Sequence, residues 1–136
     1  MKFIVDANVL SESTKPRPSA RVVEWLRQNE RRIAVNPIVL GELEYGILLL
    51  PAGRRRKRLL DWFKEGVQTI RVVDLNAETA AVWARLVAEL KRSGRAMPVK
   101  DSLIAATARQ HSLTVATRNT ADYQHAGVKL INPFAD

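Results

Sequence analysis

An α/β fold with a central parallel sheet of about five strands flanked by helices in three layers is the architecture this sequence predicts. Three observations carry it. Short apolar or β-branched runs recur along the chain, they are separated by segments long enough for helices, and no repeat, low-complexity tract or linker interrupts them. Strands joined through helix-length connections imply βαβ crossovers, hence parallel pairing with helices on both faces. At 136 residues and 46% hydrophobic content, one domain spanning 1–136 has enough apolar side chains for a real core.

The first strand is "KFIVD". In "SARVVEWLRQN", Val22, Val23 and Leu26 fall at helical spacing behind Ser19, a plausible N-cap. "RRIAVN" is the second strand. Pro37 then opens "PIVLGELEYGILLL", a helix in which Val39, Leu43, Ile47 and Leu50 share a face, and Pro51 and Gly53 close it. The basic segment resumes as a helix through Leu59, Leu60 and Phe63, and "QTIRVVDL" reads as the third strand. Asn76 caps the next helix, whose stripe is Trp83, Leu86, Val87 and Leu90, with Glu78 in its first turn and Gly94 as its stop. The alanine-rich "VKDSLIAATARQH" follows as a helix able to press closely on a sheet, and "SLTVAT" and "VKLIN" complete the strands.

Composition narrows the function. Only Phe3, Ile4 and Val5 separate Lys2 from Asp6, which leaves no room for the apolar core of a secretory signal. The longest greasy stretch, "ILLLPA", is far shorter than the roughly 18 residues of a membrane span. With no cysteine there is no disulfide framework or thiolate metal site. A soluble, cytoplasmic protein is therefore expected. Lys plus Arg number 22 against 14 Asp plus Glu, a formal charge of +8 that favours encounter with a polyanion such as nucleic acid. Its densest part is Arg54, Arg55, Arg56, Lys57 and Arg58. Consecutive helical residues point around much of the circumference, so part of this run is expected to touch phosphate and the rest to be solvated.

Against that basic background, four acids fall where a parallel sheet builds its sites, beyond the carboxyl ends of the strands. Asp6 ends a buried strand, where an unpaired carboxylate would lose much of its solvation. Asp101 lies in the first turn of the alanine-rich helix, and Asp122 follows "LTVAT" by a few residues in "TRNTADY". On the Pro37 helix, Glu42 and Glu44 point roughly 200° apart, and spacing alone does not choose between them. Two carboxylates at roughly 5 Å repel by about 3 kcal/mol at an effective dielectric near 20. Divalent cations cancel that repulsion, and an oxygen-only cluster suits Mg²⁺ or Mn²⁺. A pair of such ions activates water and steadies the departing oxygen in phosphodiester cleavage, with Lys and Arg nearby to hold the backbone.

Taken in order, "FIVDANVLSE", "LGELEYGILLLPAGRRRKRL", "PVKDSLIAATARQHSLTVATRNTADY" and "VKLINPF" closely resemble the PIN-domain ribonucleases, specifically the VapC-type toxins of toxin–antitoxin pairs, including the FitB-like branch. The resemblance runs through nearly the whole length. It implies a PIN-like fold and a metal-dependent endonuclease that cuts RNA, with the family's acids on Asp6, Glu42, Asp101 and Asp122; the family's E-L-x-x-G pattern selects Glu42 over Glu44. It implies Asp6 and Asp101 as metal ligands, with Asn8, Thr117 and Asn119 orienting ligands or water. It further implies a cognate VapB-type antitoxin that covers the pocket, often with an arginine, and a homodimer that assembles with it into a larger complex on operator DNA. Lys100 departs from the pattern, standing where relatives often carry an apolar or small residue; it either touches substrate or points to solvent.

Two other readings make different demands on the sequence. Haloacid-dehalogenase phosphatases place Asp after an apolar strand in a D-x-D pattern, but here Asn8 replaces the second acid, which serves such enzymes as general acid. A non-enzymatic nucleic-acid-binding module would gain nothing from acids that repel phosphate. Trp25, Trp62 and Trp83 do not alternate with basic residues as a stacking platform does, and read as core or interface aromatics. His111 and His125 read as surface or capping residues.

Overall fold

A computed structural model describes residues 1–135. Its five strands are β1 (Phe3–Val5), β2 (Ile33–Val35), β3 (Arg71–Val72), β4 (Thr114–Ala116) and β5 (Leu130–Ile131). They form one all-parallel sheet in the order β3-β2-β1-β4-β5. β1 sits in the middle, with Ile4 opposite Ala34 on one side and Val115 on the other. All three residues of β1 are buried, as expected of a strand covered on both faces.

Seven α-helices connect and cover the strands among the described residues: α1 (Ala7–Ser11), α2 (Ala20–Asn29), α3 (Pro37–Leu48), α4 (Arg54–Glu65), α5 (Ala77–Arg92), α6 (Val99–His111) and α7 (Thr120–Tyr123). The connections from β1 outward to β3 hold α1 to α4, and the return from β3 to β4 holds α5 and α6; the right-handed crossover rule for parallel strands assigns the two sets to opposite faces. α6 packs on β1, β4 and α5. Its small side chains, Ala105, Ala106 and Ala108, are all buried, which is the close helix-to-sheet approach that the sequence predicts.

Side-chain caps start three of the long helices, those at Ser19 and Asn76 as the sequence predicts and the one at Asn36 in addition. Ser19 accepts from Val22 N at 3.4 Å, Asn36 from Val39 N at 3.0 Å and Asn76 from Thr79 N at 3.0 Å, the last with a reciprocal bond from Asn76 N to Thr79 Oγ1 that makes a capping box. Asn36 does more than cap: fully buried, it also donates to Thr107 Oγ1 at 3.1 Å and so ties the start of α3 to the middle of α6. Trp83 Nε1 donates to Ser102 Oγ at 2.9 Å, and Trp25 packs edge-on against Phe3, in keeping with the structural roles expected of both. His111 and His125 are exposed.

Four features differ from the sequence reading. The third strand shrinks to Arg71–Val72 because Val67–Thr69 winds into a 3₁₀ turn, closed by a backbone bond from Ile70 N to Val67 O that draws the chain away from the sheet. α3 stops at Leu48, so Leu50 packs against the core from the loop rather than from the helix. Val23 is exposed, since Val22 alone of the α2 stripe turns fully inward. Two short helices, α1 and α7, stand directly after β1 and β4, each one or two turns long and too short for a periodic signal. Among the described residues, no helix is long and apolar enough to cross a membrane.

Candidate active site

The sheet order reverses between β1 and β4, the adjacent central strands from which the chain departs in opposite directions. A crevice opens at such a switch point beyond the carboxyl ends of the strands. Asp6 follows β1 and Thr117 follows β4, so both sit at its floor, and both are buried.

Asp6 is the best-anchored acid. Its Oδ1 accepts from Ala7 N at 2.8 Å, capping α1, and its Oδ2 accepts from Thr117 Oγ1 at 2.8 Å and from the Tyr123 hydroxyl at 3.2 Å. Three donors leave about one of a carboxylate's roughly four acceptor positions unused. The loop after β4 is stitched to α1 through Asn8, which donates to Thr117 Oγ1 at 3.4 Å and accepts from Arg118 N at 3.0 Å. Asn119 contributes its backbone N–H to Thr117 Oγ1 at 3.1 Å, while its side chain makes no capping bond to α7.

The other acids lie near enough for their charges to act on one another. Burial, then the charges of Asp6, Asp122 and Glu42, push the Asp101 carboxyl up to about 6, against a lowering from its hydrogen bond with Tyr123. Glu42 is also raised, by burial first and then by Asp6, with Lys100 pulling it back. Its Oε1 is buried without a hydrogen-bond partner, whereas Glu44 is exposed. Asp122 lies exposed on the rim. Tyr123 is buried, and desolvation together with the neighbouring Asp6 and Asp101 holds its hydroxyl firmly protonated.

Tyr123 is the residue that sequence reasoning missed. The available signal was an aromatic directly after Asp122 in an otherwise polar stretch: its ring had to be buried, and its hydroxyl then needed an acceptor. Of the basic candidates, Lys100 is exposed but near enough for its charge to act on Glu42. Arg55 lines a cleft shared with Glu42 and Asn8, and Arg58 lines the adjoining one. Arg54 and Lys57 are exposed and border neither cleft, and Arg56 is half-buried with an unpartnered Nε.

The donor set fits a hard divalent cation. All candidates are oxygens, Asp6 retains an open acceptor position, and the buried Glu42 Oε1 lacks any donor that would satisfy it. No three Asp, Glu, His or Cys side chains among the described residues form a ready-made ligand group. The arrangement therefore suits an ion held by one or two carboxylates with waters completing its shell, the usual habit of magnesium.

Comparison with known proteins gives a consistent picture. Residues 3–128 match the PIN domain family model. The chain is 34% identical to Toxin FitB of Neisseria gonorrhoeae, over 98% of this chain and 99% of that protein. It is 33% identical to the VapC ribonuclease Y4jK of Sinorhizobium fredii, over 97% of each. Its fold superposes with a TM-score of 0.92 on a chain of the structure of FitAB bound to an IR36 DNA fragment, at 32% identity, covering 98% of this chain and 96% of that one.

Proposed function

The chain belongs to the PIN-domain family, in the branch of FitB and the VapC-type toxins, and from that premise we propose that it is a Mg²⁺- or Mn²⁺-dependent endoribonuclease, the toxin of a toxin–antitoxin pair. Residues 1–136 act as a single PIN domain in the cytoplasm. The observation that carries this reading is the concentration of acid at one point of a basic protein. Burial first, and then the charges of Asp6, Asp122 and Glu42, hold the Asp101 carboxyl near 6, and Glu42 Oε1 is left without a donor.

Asp6 and Asp101 would hold the metal. When bound, the ions supply water activation and neutralisation of charge on the scissile phosphate, in the manner of two-metal phosphodiesterases. The chain's own residues do the rest. Thr117 and Tyr123 fix Asp6 Oδ2 in one orientation, and Tyr123 remains a permanent donor because its proton does not leave in the working pH range. Glu42, with its proton affinity raised, is suited to take the proton released by the attacking water. Asp122 adds negative field at the rim, and Asn8 and Asn119 set the position of Thr117 Oγ1.

The relatives supply the partners. The FitAB assembly on DNA supports an antitoxin partner for this chain; we further propose that this VapB-type antitoxin inhibits it, that the chain is a homodimer within the complex, and that operator DNA is bound through the antitoxin. An antitoxin arginine would suit a pocket whose acids form no ion pair among the described residues. The purified protein should cleave RNA only with Mg²⁺ or Mn²⁺, leaving 5′-phosphate ends, and Asp6→Asn should abolish cleavage while the far-ultraviolet circular dichroism stays that of the parent. Metal-independent cleavage, or full activity in Asp6→Asn, would overturn the reading.

A further inference from the structure

The acids are not the only side chains held beyond the carboxyl ends of the strands. Arg118 stands two residues after β4, directly behind Thr117, whose hydroxyl donates to Asp6 Oδ2 at 2.8 Å. Its backbone N–H donates to Asn8 Oδ1 at 3.0 Å. Residues 132–135 follow β5, which pairs in parallel with β4, so they reach the same rim from the neighbouring edge of the sheet. There the Arg118 guanidinium rests over the Phe134 ring, with Cζ 4.7 Å from the ring centroid.

That ring is firmly mounted. Phe134 is half-buried and packs against the core, next to a buried Pro133. Its N–H donates to Asn132 Oδ1 at 2.9 Å, Ala135 N donates to Asn132 O at 3.1 Å, and Arg21 Nη1 donates to Ala135 O at 2.7 Å. A guanidinium lying on an aromatic face keeps its N–H edge open, and a planar fork already held in place loses little freedom when it engages two phosphate oxygens. The charge itself has no use inside the protein. Arg118 is exposed and makes no ion pair among the described residues. Glu12 feels its charge, but that buried carboxylate is already bound by Lys15 at 2.9 Å and by Ser19 N at 2.8 Å. Among the described residues, the cation that acts on Glu42 is Lys100, and the charges that act on Asp101 are all acidic. Arg118 therefore stands on the rim clear of the acids, where it can hold an anion without competing with a metal for them.

We propose that Arg118 is a phosphate-binding residue which, mounted on Phe134, grips an RNA backbone phosphate flanking the one that is cut. This rests on the ribonuclease reading and adds to it a direction. One arm of the strand leaves the acids past the loop after β4, and residues 132–135 serve as the support of the side chain that holds it.

Binding is measured by fluorescence anisotropy across a series of salt concentrations, with a labelled single-stranded RNA of about 12 nucleotides and Asp101→Asn as the non-cleaving parent. Arg118→Ala should weaken binding on the order of tenfold and lower the salt slope by about 0.7, the share of one phosphate on a single strand. Arg118→Lys keeps the charge without the planar fork, so the slope should hold while binding weakens about threefold. Phe134→Leu keeps an apolar side chain against the core but removes the ring, and should behave as Arg118→Lys does. Arg71→Ala deletes an exposed cation on β3, at the opposite edge of the sheet, and should change binding no more than about twofold. If Arg118 only staples residues 132–135 to the rim, Arg118→Ala lowers the melting temperature and leaves the salt slope at the parent's value, which overturns the proposal. So would an equal loss in Arg71→Ala, or parent-like affinity in a folded Phe134→Leu; should Phe134→Leu fail to fold, the two Arg118 variants decide alone. Asp101→Asn binds without cutting, so these outcomes stand apart from cleavage by the native chain, which tests the ribonuclease reading.

Discussion

Replacing Asp101 by asparagine should stabilise the metal-free protein while destroying its activity. The Asp101 carboxyl moves from an ordinary 3.8 to about 6 on folding, chiefly through burial and then through Asp6 and Asp122. About two pKa units at 1.36 kcal/mol each give an upper figure of about 3 kcal/mol. Asp101 is only half-buried, and solvent screening reduces this to about 1–2 kcal/mol. A carboxyl whose folded-state value lies above its unfolded one adds stability at low pH and loses it as the pH climbs through the folded value. The penalty is therefore absent at or below about pH 4, grows up to about pH 6 and is complete above about pH 7. Asp101→Asn escapes it at every pH. In chelator, its melting temperature should match the parent's at about pH 4 and exceed it by roughly 3–8 °C at about pH 7.5. Added Mg²⁺ or Mn²⁺ should raise the parent's melting temperature at neutral pH and leave that of Asp101→Asn nearly unmoved. The reasoning is refuted if the difference between variant and parent is the same at both pH values, or if the variant is the less stable at neutral pH.

Three further outcomes follow from individual contacts. Asn36→Ala removes the α3 cap and the side-chain tie to Thr107, whose hydroxyl keeps its bond to the Leu103 carbonyl; chemical denaturation should show a loss of about 1–3 kcal/mol, with weaker cation binding because the helices carrying Glu42 and Asp101 lose their tie. Tyr123→Phe deletes one donor to Asp6 with little change in packing; RNA cleavage should fall on the order of tenfold while the melting temperature drops by only a few degrees, a split visible by assaying both on one preparation. Ser112 ends α6 in the left-handed region at φ 56°; Ser112→Gly should stabilise by about 0.5–1 kcal/mol in urea titrations and leave cleavage unchanged.

How much of this was legible depended on whether a feature repeats. The sheet, the long helices and the caps at Ser19 and Asn76 announce themselves through periodicity or a residue type at a boundary; "KFIVD" and the alanine-rich helix were readable on those grounds alone. α1 and α7 escaped because one or two turns hold no period. The positions of Asp6, Asp101 and Asp122 at one edge followed from the topology of parallel strands. The choice of Glu42 over Glu44 did not: it depends on how α3 is rotated about its axis, which packing decides. Tyr123 was invisible for a related reason, since its partners Asp6 and Asp101 lie far off along the chain.

The order of the strands also has a consequence for how such a protein comes into being on the ribosome. β4 lies directly beside β1, and the hydroxyls that orient Asp6 come from positions 111 and 117 residues further along. A nascent polypeptide halted before Thr117 presents an open sheet edge and a carboxylate without its side-chain donors. Hydrolytic competence thus emerges near the end of translation, so an enzyme hazardous to its host stays inert through most of its own manufacture.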